Sequence, residues 1–214
     1  MRIIVSRPPG KRRGQILAAA ERAFDEYGYA RTTMDMVAES AGVAKGSIYN
    51  YFKNKADLFG QVLSEALSEL EASSLAIAGS SMGASEKIGA LIEDIFRFID
   101  QAESIGRVII EAWALSSRQS SDDAAIAPQR KLYARWRELI AGILAQGVAD
   151  GEFPEHLEPR IGSAVFLAMC DGMIIQVILN VGLEVSPELM SGMKRGFIAA
   201  LRNIPPEQAG KSAS

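Results

Sequence analysis

Residues 32–59 read TTMDMVAESAGVAKGSIYNYFKNKADLF, and this stretch decides the fold. Thr32-Thr33-Met34-Asp35 is a helix start, a Thr followed three residues later by a carboxylate that can return a hydrogen bond to the cap. From there Met34, Val37, Ala38 and Ala41 form an apolar stripe at helical spacing that stops at Gly42. A second short helix is expected from about Ala44 to Phe52. Asn54-Lys55-Ala56-Asp57 then repeats the capping logic and opens a long helix through Leu58, Val62, Ala66 and Leu70. Two short helices on either side of Gly42-Val43 fit a helix-turn-helix, whose tight reversal favours a residue tolerant of positive φ.

The second of these helices has two unlike faces. With Lys45 set at 0° and about 100° per residue, Ile48 and Phe52 fall at roughly 300° and 340°, a stripe that packs inward. Gly46, Asn50 and Ser47 fall at roughly 100°, 140° and 200°, facing away from it, and Lys45, Tyr49 and Tyr51 flank the stripe. Small residues let a helix approach a major groove, Ser and Asn bond base edges, and Lys and Tyr hold phosphates. An ordinary solvated helix would carry more Glu and Lys and fewer exposed Tyr, so the pattern points to double-stranded DNA.

Upstream, Ile16, Ala20, Phe24 and Tyr27 recur at helical spacing, and Gly28 stands where a C-terminal cap belongs. Downstream, AGSSMGAS at 78–85 reads as a loop, and further helices are expected at roughly 85–100, 104–117, 127–150, 158–182 and 186–202. Ser186-Pro187-Glu188 is a clear start: cap, Pro at the first helical position, acid in the first turn. No alternating strand pattern competes. The fold class is all-α, with a three-helix N-terminal domain followed by a larger helical regulatory and dimerisation domain.

The chain has 214 residues, ample for a real core, and its 48% hydrophobic and 23% charged content is that of an ordinary globular protein. One Cys (Cys170) and one His (His156) leave no disulfide framework or structural zinc site, and no catalytic constellation is visible, so an enzyme has nothing to build on. GVAKGS and GSSMG match neither a P-loop nor a dinucleotide fingerprint, and no cofactor is implied. The N-terminus lacks the apolar core of a signal peptide, which points to a cytoplasmic protein. The longest apolar stretch, 164–183, is interrupted by Asp171, Gln176 and Asn180 and reads as a buried helix, not a membrane span. Charge divides unevenly: residues 1–58 hold ten Lys/Arg against six acids, a balance of +4, and the rest hold 13 against 20, a balance of −7. Either clustering by chance or a nucleic-acid-facing module on an acidic body accounts for that.

Residues 11–71 resemble the N-terminal DNA-binding domain of the TetR family of bacterial regulators, with the helix-turn-helix at about 33–52. The resemblance rests on Ala41-Gly42-Val43, Lys45-Gly46-Ser47, the Tyr49-Asn50-Tyr51-Phe52 block, Lys53-Asn54-Lys55 before an acid, and the Ala23-Phe24 and Tyr27-Gly28-Tyr29 features of the preceding helix. It implies that Thr33 meets a backbone phosphate or groove edge and that Lys45, Gly46 and Ser47 approach base edges. Tyr49 and Tyr51 would grip phosphate with Asn50 between them, and Lys55 would contact a phosphate at its helix N-terminus. Ala44 departs from the capping Ser that the family often has. Lys11-Arg12-Arg13 fits an arm reaching the DNA and a solvated terminus equally well.

The resemblance also implies a regulatory domain at 72–205, flexible tails at 1–10 and 206–214, and a homodimer formed through helices 158–182 and 186–202 that binds a palindromic operator. A ligand-responsive repressor follows, with an unknown small-molecule effector; an activator or effector-independent regulator of the same fold and a helical small-molecule carrier with a vestigial DNA module are the alternatives. Pocket candidates are Phe96, Trp113, Tyr133, Trp136, Phe166, Met169 and Met173, though aromatics at helical spacing are usually core. Arg107, Glu111 and Asp171 are ionisable groups among apolar neighbours. Arg107 and Glu111 at i,i+4 can pair with each other, while Asp171 can cap a kink, bond a helix across the dimer, or meet a cationic effector.

Overall fold

The computed structural model describes residues 9–101, 103–116 and 127–205, and every regular element among them is a helix. These are α1 (Pro9–Arg31), α2 (Met34–Ser40), α3 (Lys45–Ile48), α4 (Lys55–Ala66), α5 (Ser68–Ala78), α6 (Ala84–Gln101), α7 (Glu103–Ser116), α8 (Ala127–Ala149), α9 (Pro159–Ile178) and α10 (Pro187–Arg202). Of the tails expected at 1–10 and 206–214, residues 1–8 and 206–214 lie outside the described residues, while Pro9 and Gly10 already belong to the first turn of α1.

Most helix ends follow the local signals. Gly28 interrupts α1 at φ 73°, a backbone conformation that side chains rarely adopt. Asn54 accepts from the Asp57 amide at 2.8 Å, and the Asp57 carboxylate reaches back to the Lys53 amide at 2.8 Å. Ser186 caps α10 through the Leu189 amide at 3.2 Å, with Pro187 at its first position.

Three expectations are corrected. The cap of α2 is Thr33, which accepts from the Met36 amide at 3.2 Å, because the Thr32 hydroxyl is already committed to the Ala23 and Gly28 carbonyls. The long helix expected from Asn54 through Leu70 breaks at Leu67, where the Ser68 hydroxyl takes the Glu65 carbonyl at 2.6 Å. The second helix of the motif is regular only over Lys45–Ile48. Its cap, Ala44, offers no side-chain bond, and the chain to Phe52 continues as tight turns.

The described residues form two compact units. One takes the described residues up to Ser68 together with α7 and the start of α8 as far as Lys131; the other takes residues 69–101 and 132–205. Compactness therefore groups α7 with the N-terminal helices, whereas the expected division is a single cut at 71/72. In the first unit α1 packs on α2, α4 and α7, burying Ile16, Ala20, Phe24, Phe59, Val108 and Ala112. The second unit closes around Ile88, Ile92, Phe96, Ile140, Leu144, Phe153, Phe166, Leu167, Met173 and Phe197.

In the second unit Glu152 caps α6 from a distant loop, accepting from the Ala84 and Ser85 amides at 2.6 and 2.9 Å. Burial raises the Glu152 pKa, but the bonds from Ser85 and Ala84 outweigh it, so the carboxyl titrates below its ordinary range. A depressed carboxyl contributes stability that is complete above the ordinary carboxylate range and is lost as pH falls through the depressed value. Glu152→Gln is therefore expected to lower the unfolding temperature at neutral pH and to flatten its fall between pH 6 and pH 3, measured by circular dichroism.

Candidate nucleic-acid interface

The helix-turn-helix is assembled by backbone as well as by side chains. Gly42 sits at φ 64°, and the Val43 amide returns to the Ala38 carbonyl at 2.9 Å, which turns the chain sharply out of α2. Ile48 and Phe52 are buried as the helical wheel requires. Thr33, Lys45, Gly46, Tyr49 and Asn50 are exposed, and Ser47 and Tyr51 are half-buried. Each of these residues is at least partly open to solvent, and Tyr49 is 49% exposed, a large aromatic side chain half open to solvent in the turn after α3.

Electrostatics at this surface is not simply positive. Lys45 donates to Asp35 at 2.6 Å, with both side chains more than half exposed, and that partner holds the ammonium pKa above its usual value. Arg13, one of the three N-terminal cations, turns back onto α4: it meets Gln61 at 2.8 Å and Glu65 at 3.3 Å and lies 5.9 Å from the Phe52 ring centre. Lys55 was the expected phosphate contact. Its ammonium instead donates to the Tyr29 and Ala30 carbonyls at 2.7 and 3.1 Å and lies 4.6 Å from the Tyr29 ring centre. Both acceptors are neutral backbone carbonyls at the end of α1.

The pocket candidates separate into two groups. Phe96, Tyr133, Trp136, Phe166, Met169 and Met173 all border the core of the second unit. There the Tyr133 hydroxyl donates to Asp171 at 2.6 Å, so Asp171 bonds a neighbouring helix of its own chain. Burial pushes the Asp171 pKa up, partly opposed by Tyr133, and burial together with the Asp171 charge pushes the Cys170 thiol to about 12. The Trp136 Nε1–H is buried without a partner among the described residues. Arg107, Glu111 and Trp113 lie on α7 and belong to the first unit. Arg107 and Glu111 do not pair with each other as expected. Arg107 forks onto Asp25 at 2.7 and 2.9 Å, and Glu111 accepts the Tyr29 amide at 2.7 Å. Asp25 and Tyr29 were absent from the expected site because their partners lie 82 residues away, beyond any periodicity.

The C-terminal helix pair shows a further surface. Ile161, Val165, Ala168, Gly172, Ile175 and Leu179 recur at alternating intervals of four and three along α9 and its cap. Ile161, Val165 and Leu179 are 61%, 53% and 60% exposed, while Phe166, Leu167, Cys170 and Met173 on the opposite side are in the core. The apolar helix expected within 164–183 is thus apolar on both faces, with one face in the core and the other open in the single chain. By length and composition alone α9 could also cross a membrane.

The sequence description "Bacterial regulatory proteins, tetR family" matches residues 16–62, and "BetI-type transcriptional repressor, C-terminal" matches residues 84–203, more than half of the chain. The chain belongs to the TetR family of bacterial transcriptional regulators. As a TetR-family protein it is a DNA-binding transcriptional regulator. It is 32% identical over 170 residues to the HTH-type transcriptional regulator TtgR of Pseudomonas putida, covering 78% of this chain and 80% of TtgR. It is 31% identical over 155 residues to the HTH-type transcriptional repressor KstR2 of Mycolicibacterium smegmatis, covering 70% and 71% of the two chains. The TetR-family fold is shared with FadR of Bacillus subtilis, solved in complex with stearoyl-CoA, at a TM-score of 0.73 and 23% identity, covering 89% and 97%.

Proposed function

We propose that this regulator is a cytoplasmic, ligand-responsive repressor that binds a palindromic operator as a homodimer. Thr33, Lys45, Gly46, Ser47, Tyr49, Asn50 and Tyr51 form the reading surface, and α9 and α10 pair with their copies in a second subunit. The observation that carries the DNA reading is the shared exposure of Lys45, Gly46, Tyr49 and Asn50 over a buried Ile48–Phe52 stripe. The open apolar stripe of α9 supports the homodimer, because an apolar face of that length is stable in water when a copy covers it. Repression is supported by the repressor KstR2 and the repressor-type C-terminal match. A small-molecule effector is supported by the stearoyl-CoA complex of FadR, and Tyr133, Trp136, Met169 and Asp171 are the residues of the second unit assigned to meet it. Two-fold symmetry asks for half-sites about 34–36 Å apart, one helical turn of DNA.

The test is selection of bound duplexes from a random library at two salt concentrations. A palindromic consensus supports the homodimeric reader; a non-palindromic consensus overturns the symmetric arrangement. On the selected operator Lys45→Ala is expected to cost about 1–3 kcal/mol of affinity without loss of folded dimer. Unchanged affinity would remove Lys45 from the reading surface.

A further inference from the structure

Three elements meet at the backbone of Gly28–Ala30. From α7, Glu111 accepts the Tyr29 amide at 2.7 Å, and four residues earlier Arg107 grips Asp25. From the start of α4, Lys55 donates to the Tyr29 and Ala30 carbonyls at 2.7 and 3.1 Å. From α1 itself, the Tyr29 ring packs against Phe24 and against Phe59 of α4, with ring centres 6.1 and 5.0 Å apart. Tyr29 therefore has a carboxylate on its N–H and an ammonium on its C=O. Linked charge-assisted bonds of this kind polarise and strengthen one another.

Glycine is required at the centre of this joint. Gly28 lies at φ 73°, and a Cβ there would stand 3.2 Å from Glu111 Oε1. The Glu111 carboxylate occupies the space that a side chain would fill.

The apolar residues Val108, Ile109 and Ala112 of α7 bury surface in the same unit, but burial is non-directional and does not fix where a helix sits along its neighbour. The Glu111–Tyr29 bond and the Arg107–Asp25 fork are directional and do fix it. Lys55 is joined to the reading segment by Lys53 and Asn54 alone. The tetR-family match ends at residue 62, so α7 lies outside the sequence signature of DNA binding.

We propose that Glu111 is a positioning residue for operator binding: through the Tyr29 backbone it fixes Lys55 and, with it, the segment Lys45–Phe52, so that α7 sets operator affinity without touching DNA. This rests on the DNA-reading surface described above. It also gives any displacement of α7 a direct route to the reading segment, because α7 cannot slide along α1 without losing Tyr29.

The test uses the full-length protein and its selected operator, titrated across a range of salt. Glu111→Ala is expected to weaken binding about tenfold, within the 5–150-fold usual for coupling between separate sites. The salt slope should be unchanged, because no phosphate contact is removed. Glu111→Gln retains an acceptor oxygen for the Tyr29 amide and is expected to stay within about threefold of the parent protein. Lys55→Met is expected to weaken binding with the same unchanged slope, whereas a lost phosphate contact would lower the slope by about one unit. The operator stoichiometry should stay that of the parent protein, which separates a repositioned reader from a partly unfolded one. Glu111→Ala binding within about twofold of the parent, or a Lys55→Met slope lower by about one, would overturn the proposal. If Glu111→Ala lacks the helical content of the parent, the Lys55→Met slope decides by the same criterion. A parent protein that selects no operator would overturn the reading surface and this inference together; an operator-binding parent with a normal Glu111→Ala variant overturns this inference only.

Discussion

Val165→Glu is expected to turn the protein into a monomer at micromolar concentration and to weaken operator binding by about a hundredfold or more. Val165 is 53% exposed in the single chain, so the substitution leaves the core contacts of Phe166 and Leu167 in place. In a two-fold interface each residue change occurs twice, and like charges brought together across an interface cost several kcal/mol. Each 1.4 kcal/mol is a factor of ten in affinity, so loss of the dimer should remove most of the cooperative gain from reading two half-sites. Light scattering gives the mass and an operator titration gives the affinity. A variant that stays dimeric would place the subunit interface away from the α9 stripe.

Phe59→Ala is expected to cost about 3–5 kcal/mol, a large share of a domain's ordinary stability. The Phe59 ring is fully buried, packed edge-on against Phe24 with centres 4.9 Å apart and against Tyr29 at 5.0 Å. The Tyr29 ring cannot move into the void without leaving Lys55, whose ammonium lies 4.6 Å from its centre. Thermal unfolding should therefore split into two steps, the earlier one carrying the loss of DNA binding and the later one belonging to the unit around Phe166 and Phe197. A single transition shifted by less than about 1 kcal/mol would mean that this aromatic cluster is not the keystone of its unit.

Where the sequence was legible, the cause of structure was local. Asn54 and Ser186 each cap a helix by bonding an amide three residues on, and Gly28 and Gly42 take backbone conformations that few other residues tolerate. Such signals sit within one turn of the effect they produce. The wheel that set Ile48 and Phe52 inward and Gly46 and Asn50 outward needed only the period of the helix. The bonds of Lys55 within the chain are not legible in the sequence, because its partners, 25 and 26 residues upstream, are backbone carbonyls that carry no residue-specific mark. Arg107 and Glu111 looked self-sufficient at i,i+4, yet both found stronger partners across 82 residues, where a fork on Asp25 and an amide at Tyr29 offered better geometry than each other. The open side of α9 was hidden for the opposite reason: a helix apolar all round gives no periodicity to say which face is covered at home and which awaits a partner.

The grouping of α7 with α1 and α4 has a practical meaning for anyone grafting this DNA reader onto a different sensor. A hybrid spliced at residue 71 would carry the whole recognition motif and yet leave Phe24, Ile16 and Tyr29 facing a foreign helix with no acid for the Tyr29 amide. A transplant that keeps its affinity has to bring residues 103–116 along or rebuild a glutamate at the same height. The portable part of this protein is a folded piece drawn from two stretches of chain, and it cannot be lifted out with a single cut.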